Sequence, residues 1–526
     1  MLRRMESALV RKDSVMMHDP MGSHMRSAVV GVLLAMVAAI GFVLFAVLSP
    51  AGSVPESNGV VIGKQSGAVY ALITDANNNK RLVPTFNVTS ARLILLANGS
   101  GGAQGANSPA AAAPSVVDDD VLQGIARDKK QGIVDGPQLL PVGSQRIGNN
   151  WAVCDTLPDT ATSTSGTPTT TVLGGVPNIG TEIGPGGQLL VTPNGGATYY
   201  LIYLKSQYSH SPELKNSAVV KAKVDMNGSA AGTYKLRKPD ARPISSAVLN
   251  AIPGTSDMTA PSIAEHGQAP SYRAPADDKI GDIVHTVQLD GTAQYYVLTA
   301  TGKHQVSSQA AQAVEDVYGS PKHDAGTNDV VGIPDDTSSL PIDDYPTQVA
   351  SGTPLSIGDD PSMCAAWSYP NNVPYLTVRI APSHQSVVPA GKAPIKLSNP
   401  STDGQLVNDF YLPTGQAAVV RDSTSPSDAA SGPIYVISDL GVKYGFASSL
   451  AGMTPDQVAA GIGLGDPSTY PPAPDAIVRL LPQGTALDPA AALRTYDSMQ
   501  MPANAGSYPS TPPSQQQQAP AGGGGN

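Results

Sequence analysis

The sequence predicts an α+β protein: a single N-terminal transmembrane helix, then an elongated exported region with a central β-rich domain and four small α/β repeats. Three observations carry this. One uninterrupted apolar run lies near the N-terminus. A Tyr-led strand, polar turn, second strand and short helix recur along the rest. Finally, 53 Gly and 47 Pro beside only 14% charged residues describe short strands and turns in place of long charged helices. Aromatic residues are only 5%, so the cores must be mostly Val, Leu, Ile and Ala. A formal net charge of -10 argues against electrostatic binding of nucleic acid.

Residues 1–27 form a leader. Leu2, Met5, Leu9 and Met16 fall near one helical stripe, with Arg3, Arg4 and Arg11 on the remainder, and Asp19-Pro20 ends the helix. Two readings fit. Leu2, Arg3, Arg4, Met5, Leu9 and Arg11 dock on a cytoplasmic partner, or the same basic amphipathic helix rests on anionic membrane lipid.

From Ala28 to Leu48 every residue is apolar or Gly. At helical rise this 28–48 segment spans roughly 31 Å, the hydrocarbon thickness of a bilayer. A cleaved signal peptide is the competing reading, but its apolar stretch is shorter, about 7–15 residues. Basic residues precede the run and none follows until Lys64, so the positive-inside rule puts the N-terminus in the cytoplasm. Removing the leader's five basic and three acidic residues leaves 27 basic and 39 acidic residues outside.

The first repeat, 49–140, contains AVYALITDANNNKRLVPTFNVTSARLIL around Tyr70 and an Ala/Gly-rich loop from Asn98 to Pro114. The second, 196–260, begins at ATYYLIYLK. The third, 261–345, contains AQYYVLTATGKHQVSSQAAQAVEDVYGS, and the fourth, 431–500, contains GPIYVISDLGVKYGFASSLAGMTPDQVAAGIGL. Asn, Asp and Gly supply the turn positions between the strands. AVLNAIPGT near 250 and AIVRLLPQGT near 480 share a further element, an apolar helical turn stopped by Pro253 or Pro482. Segments 141–195 and 346–430 are the two parts of the central β-rich domain. The Pro/Gln/Gly-rich tail, 501–526, is expected to be disordered.

The only two cysteines, Cys154 and Cys364, both fall on the exported side and are flanked symmetrically by Trp151 and Trp367. An oxidising exterior favours a disulfide that clamps the central domain, with both tryptophans packed around it. Two buried free thiols, or a metal site that would need histidines at ligand spacing, are the alternatives.

No nucleotide or catalytic signature stands out. GxxxxGK[ST], HExxH and GxSxG are absent, and Gly63-Lys64, Gly302-Lys303 and Gly391-Lys392 are not followed by Ser or Thr. The acidic clusters Asp118–Asp120, Asp335-Asp336, Asp343-Asp344 and Asp359-Asp360 lack calcium-loop spacing and read as solvated turns. No catalytic, cofactor-binding or metal-binding residue is assigned.

Several stretches resemble the EccB membrane components of the type VII (ESX) secretion system of mycobacteria and related actinobacteria. They are RRMESALVRKD followed by DPM, SGAVYALI, NVTSARLI, WAVCDT, PSMCAAW, ARPISSAVLNAIP, DLGVKYGF and VRLLPQGTALDPAAAL, from about residue 3 to 495. The resemblance implies a structural core subunit of the bacterial inner-membrane secretion complex, single-pass, with the N-terminus cytoplasmic and the C-terminal part periplasmic. It also implies a disulfide between Cys154 and Cys364, and partners of the EccC, EccD and EccE types, other EccB copies and membrane lipid. No cofactor is implied by the residues. The repeats resemble a phage cell-wall-binding fold, which adds a peptidoglycan-binding anchor as an alternative. Some members carry an ATPase label, which would bring ATP. Ala365 and Ala366 stand where the family has aromatics.

Overall fold

The computed structural model describes residues 5–6, 27–32 and 54–497, the last with breaks at 76, 101–109, 139, 148, 163–164, 178, 184–186, 194, 205–218, 260, 341, 343–344, 347–356, 370–374, 383–385, 399–406, 425–430 and 450–451. Residues 27–32, which open the apolar run, are helical; the remainder of the run, most of the leader and the 501–526 tail lie outside the described residues. Among the described residues no helix is long and apolar enough to cross a membrane. Leu2, Arg3, Arg4, Leu9 and Arg11 also lie outside them, while Met5 is helical and exposed.

The fold is mixed α+β. Strands β1 (Gly59–Gly63), β2 (Val69–Thr74) and β3 (Lys80–Pro84) form an antiparallel meander. Their Val, Ile and Leu residues suit a pleated, half-buried surface. Asp75 accepts hydrogen bonds from the Asn77 and Asn79 amides, and Asn78 takes the left-handed conformation that the β2–β3 turn requires. Helix α1 (Val88–Leu95) starts where the Asn87 side chain accepts from the Ser90 amide. Strand β4 (Ser115–Val117) then joins parallel to β1, α2 (Asp119–Leu122) follows, and β5 (Ala126–Arg127) runs parallel to β3.

Beyond β6 (Lys130–Gln131), the chain enters the central sheet through β7 (Trp151–Thr156), β8 (Thr169–Gly174) and β9 (Thr181–Glu182). A second small sheet comprises β10 (Gln188–Thr192), β11 (Tyr199–Leu204) and β12 (Val219–Val224), then α3 (Ser229–Thr233), β13 (Arg242–Pro243) and α4 (Ser246–Ala251). A third comprises β14 (Ile283–Val287), β15 (Ala293–Leu298) and β16 (Lys303–Val306), then α5 (Ser308–Tyr318), β17 (Lys322–Asp324) and α6 (Thr327–Val331). The central sheet resumes with β18 (Ser362–Ser368), β19 (Tyr375–Ala381), β20 (Ile395–Lys396) and β21 (Asp409–Tyr411). A fourth small sheet comprises β22 (Ala418–Ser423), β23 (Ile434–Ile437) and β24 (Lys443–Gly445), then α7 (Pro455–Ala459), β25 (Pro472–Pro474) and α8 (Asp475–Val478). Finally α9 (Pro489–Ala492) leads to β26 (Thr495–Tyr496), which pairs with β6 beside the first small sheet.

All four small sheets have one connectivity: an antiparallel meander, a helix, a strand parallel to the first, and a short helix. A segment parallel to the third strand closes each, pairing Arg81 with Ala126, Lys221 with Gly254, Lys303 with Asp335 and Lys443 with Gln483. The sequence boundaries need one correction. Strands β10 and β22 fall within 141–195 and 346–430, yet they open the second and fourth small sheets. They precede the Tyr-led strand that marked each repeat in the sequence.

The central sheet, in the order β20-β21-β8-β7-β18-β19-β9, joins chain segments far apart in sequence. One face, with Trp151, Val153, Val172, Met363, Leu376 and Val378, is covered by α4 and α8 through Val248, Leu249, Ile477 and Val478. The two helices also touch each other. The opposite face is covered by Val176, Ile179, Val387 and Val388. The second and third small sheets share a core through α3 and α5; the first and fourth share another around α1, α7 and the turn after α7. In α2 and α6, which hold the places of α4 and α8, the apolar docking face is replaced by exposed Asp120 or by Thr327, Asn328 and Asp329. Such polar outer faces suit terminal units of an array.

Candidate functional site

Cys154 and Cys364 are directly opposed on the antiparallel strands β7 and β18, and they are disulfide-bonded. Both are fully buried. Trp151 and Trp367 are opposed in the same register. They do not pack around the disulfide, as the sequence reading expects. Successive side chains in a strand alternate faces, so residues three apart point to opposite sides of the sheet. The cysteines lie in the cluster with Leu173 and Tyr411, while both tryptophans belong to the cluster covered by α4 and α8.

Next to the disulfide, Asp155 is buried at the seam with the second small sheet. Its carboxylate accepts from the Thr170 hydroxyl at 2.7 Å and from the Ser245 amide at 2.6 Å. Ser245 caps α4, accepting from the Val248 amide. Burial pushes the Asp155 carboxyl up to about 6 against the opposing pull of these hydrogen bonds. Arg242, also buried, donates to the Asp360 carbonyl at 2.7 Å. Burial drives its guanidinium down to about 10 despite the nearby carboxylates of Asp360 and Asp155.

Three lysines that the sequence reading passed over occupy one equivalent place in the small sheets. Lys221, Lys303 and Lys443 donate to the carbonyls of Leu249 (2.6 Å), Ile333 (2.7 Å) and Val478 (3.0 Å), within or just after α4, α6 and α8. Each adds a donor at the C-terminal end of the short helix, where the Leu249 and Val478 carbonyls also accept the Ile252 and Leu481 amides. Lys303 and Lys443 also lie over the rings of Tyr296 and Tyr435, at 5.8 and 5.5 Å. Burial pulls Lys221 down to about 8, aided by Arg479, and it also lowers Lys443. The signal available in the sequence was a Lys within an apolar strand, in VVKAKV, TGKHQV and GVKYGF.

The acidic clusters and Gly-Lys pairs within the described residues sit in turns and at the ends of strands and short helices. Asp118 accepts from Gln65 and pairs with Lys64 at 3.3 Å, and Asp119 accepts from the Ser66 amide. Asp336 accepts from the Thr299 and Thr301 hydroxyls and from the Ser338 and Ser339 amides, while Asp335 pairs with Lys303. Gly302 is required by close approach: a Cβ there would lie 2.2 Å from the Pro334 oxygen. Asp343-Asp344 lies outside the described residues. Among the described residues no group of three or more His, Cys, Asp or Glu is placed to hold a metal. Asp155 and Arg242 tie the second small sheet to the central one, while the three lysines act within their own small sheets.

The family model described as "Type VII secretion system ESX-1, transport TM domain B" matches residues 1–501. The chain belongs to this EccB family. The ESX-1 secretion system ATPase EccB1 of Mycolicibacterium smegmatis (strain MKD8) is 27% identical over 512 residues, covering 96% of this chain and 95% of the relative. The ESX-3 secretion system ATPase EccB3 of Mycobacterium tuberculosis (strain ATCC 25618 / H37Rv) is 27% identical over 518 residues, covering 95% and 88%. Among solved structures, a chain of the intact ESX-5 inner membrane complex superposes with a TM-score of 0.64 at 22% identity, covering 96% of this chain and 95% of its own. The EccB3 dimer of the ESX-3 core complex gives 0.61 at 20% identity, covering 83% and 100%. The EccB fold is therefore shared along nearly the whole chain.

Proposed function

We propose that this chain is a structural core subunit of an inner-membrane type VII secretion complex. The observation that carries the reading is the family match across residues 1–501, joined to a fold shared with a chain of the ESX-5 inner membrane complex over 96% of this chain. In this reading 28–48 is a single transmembrane helix, the leader is cytoplasmic, and the rest is periplasmic. The four small sheets are copies of one repeated module, and their faces contact other EccB copies. EccC-, EccD- and EccE-type subunits and membrane lipid are the further partners. A disulfide in the central sheet suits an oxidising compartment.

Mild-detergent purification of the full chain, with mass spectrometry of co-eluting proteins, tests this. The expected result is co-elution from the membrane fraction with the other secretion subunits. A freely soluble chain, or labelling that finds residues 54–497 in the cytosol, overturns it. Sedimentation with purified sacculi would favour the peptidoglycan-binding anchor. Nucleotide turnover by the purified chain, abolished by a point substitution, would favour the ATPase named in the relatives, for which this sequence has no GxxxxGK[ST] motif.

A further inference from the structure

The fourth small sheet brings two carboxylates together where it meets the central sheet. Asp422 lies on β22 and Asp475 opens α8. Ser423 pairs with Pro474 in the parallel ladder between β22 and β25, which sets the two acids side by side on one seam. Each carboxyl lies within electrostatic reach of the other, and among the described residues Asp422 Oδ1 is buried with no hydrogen-bond partner. A buried carboxylate beside a second carboxylate favours holding one proton between the two.

The surroundings give the pair little compensating charge. Lys443 on β24 faces both acids, but its ammonium is already donating to the Val478 carbonyl. Arg479, half-exposed, stands 3.9 Å from Asp475 one turn along α8. Tyr435 on β23 and the buried Tyr369, just beyond β18, complete the titratable groups facing the pair among the described residues. Burial raises both tyrosines, and Asp422 adds to it, so they remain neutral. In the second small sheet the equivalent places hold Pro193 and Ser246, neither of which can ionise. The pair is thus a feature of the fourth sheet alone of these two, at the root of the helix that docks it.

We propose that the Asp422–Asp475 pair is a proton-dependent latch fixing α8, and with it the fourth small sheet, on the central sheet. With one shared proton the start of α8 is tied to β22. When the proton leaves, two adjacent anions repel and the docked helix loosens. Burial and then Asp475 push the Asp422 carboxyl up to about 6, so the latch closes as pH falls through that value and opens as pH rises through it.

Hydrogen exchange of the full chain at pH 5 and pH 7.5, corrected for intrinsic rates, tests the latch. Protection of residues 472–482 should fall about tenfold at the higher pH, a figure reduced for the partial exposure of Asp475. Residues 308–318, in α5, serve as the unaffected reference. Asp422→Asn can donate a hydrogen bond to Asp475 without needing the shared proton, and it should hold 472–482 protected at both pH values. Asp475→Asn should do the same if Asp422→Asn fails to fold. Wild-type protection of 472–482 that does not change with pH overturns the proposal. So does a substituted chain with the wild-type pH dependence.

Discussion

The Asp155 carboxylate accepts the backbone amide of Ser245 at 2.6 Å, joining the strand of the disulfide to the cap of α4. This acid is buried and its carboxyl stands at about 6, above the ordinary 3.8. Between those values the folded chain holds a proton that the unfolded chain has released. Its contribution to stability is therefore fully present at low pH and is lost as pH rises through 6. Asp155→Asn should remove that slope, with the wild type losing about 2 kcal/mol relative to the variant between pH 4 and pH 7. Asp155→Ala strands the Ser245 amide and the Thr170 hydroxyl and should cost about 2–4 kcal/mol. Urea unfolding across pH checks both.

The disulfide closes a loop of 210 residues between β7 and β18. Under the chain-entropy account its removal costs at most about 5 kcal/mol. The two strands keep their backbone ladder and outer neighbours, so the expected loss is smaller, about 2–4 kcal/mol. Cys154→Ser or Cys364→Ser should lower the melting temperature and the yield of assembled complex. Reductant should lower the melting temperature of the wild type but leave a variant carrying both Cys154→Ser and Cys364→Ser unchanged. A wild-type melting temperature indifferent to reductant would count against the clamp.

Lys221 makes the opposite prediction with pH. Its ammonium is held at about 8, below the ordinary 10.5, by burial and the nearby Arg479. Between those values the folded chain has lost a proton that the unfolded chain keeps, so stability rises as pH rises. Relative to Lys221→Met, the wild type should gain about 1–2 kcal/mol from pH 8 to pH 10. A flat difference between the two melting curves across that window would show that the lysine stays charged at the Leu249 carbonyl.

The α+β class and the recurring Tyr-led hairpins were legible because both rest on local patterns, alternation within a strand and Asn, Asp or Gly at its turn. Strands β10 and β22 escaped notice because their pairing with β13 and β25 comes from residues dozens of positions away. The opposition of Cys154 and Cys364 was anticipated from compartment and symmetry, yet the tryptophan placement failed on simple strand parity. Asp155, Asp422 and Lys221 left little trace. Their character comes from burial between sheets, and nothing within a few residues of each encodes what will cover it.

The docking of the second and fourth small sheets through one equivalent helix gives the last prediction. Val248 on α4 and Val478 on α8 are fully buried against the central sheet. A carboxylate at either place must be desolvated without a partner, which should cost about 3–5 kcal/mol. Asn328, in the first turn of α6, is exposed, so Asn328→Asp should change stability by less than about 0.5 kcal/mol. Val248→Asp should leave the shared core of the first and fourth small sheets protected from hydrogen exchange while α4 and the adjoining central strands open. The same substitution at Val478 should open α8 and spare the core between α3 and α5. Equal effects at Asn328 and Val248 would mean that the helices do not dock as separate wedges on one sheet face.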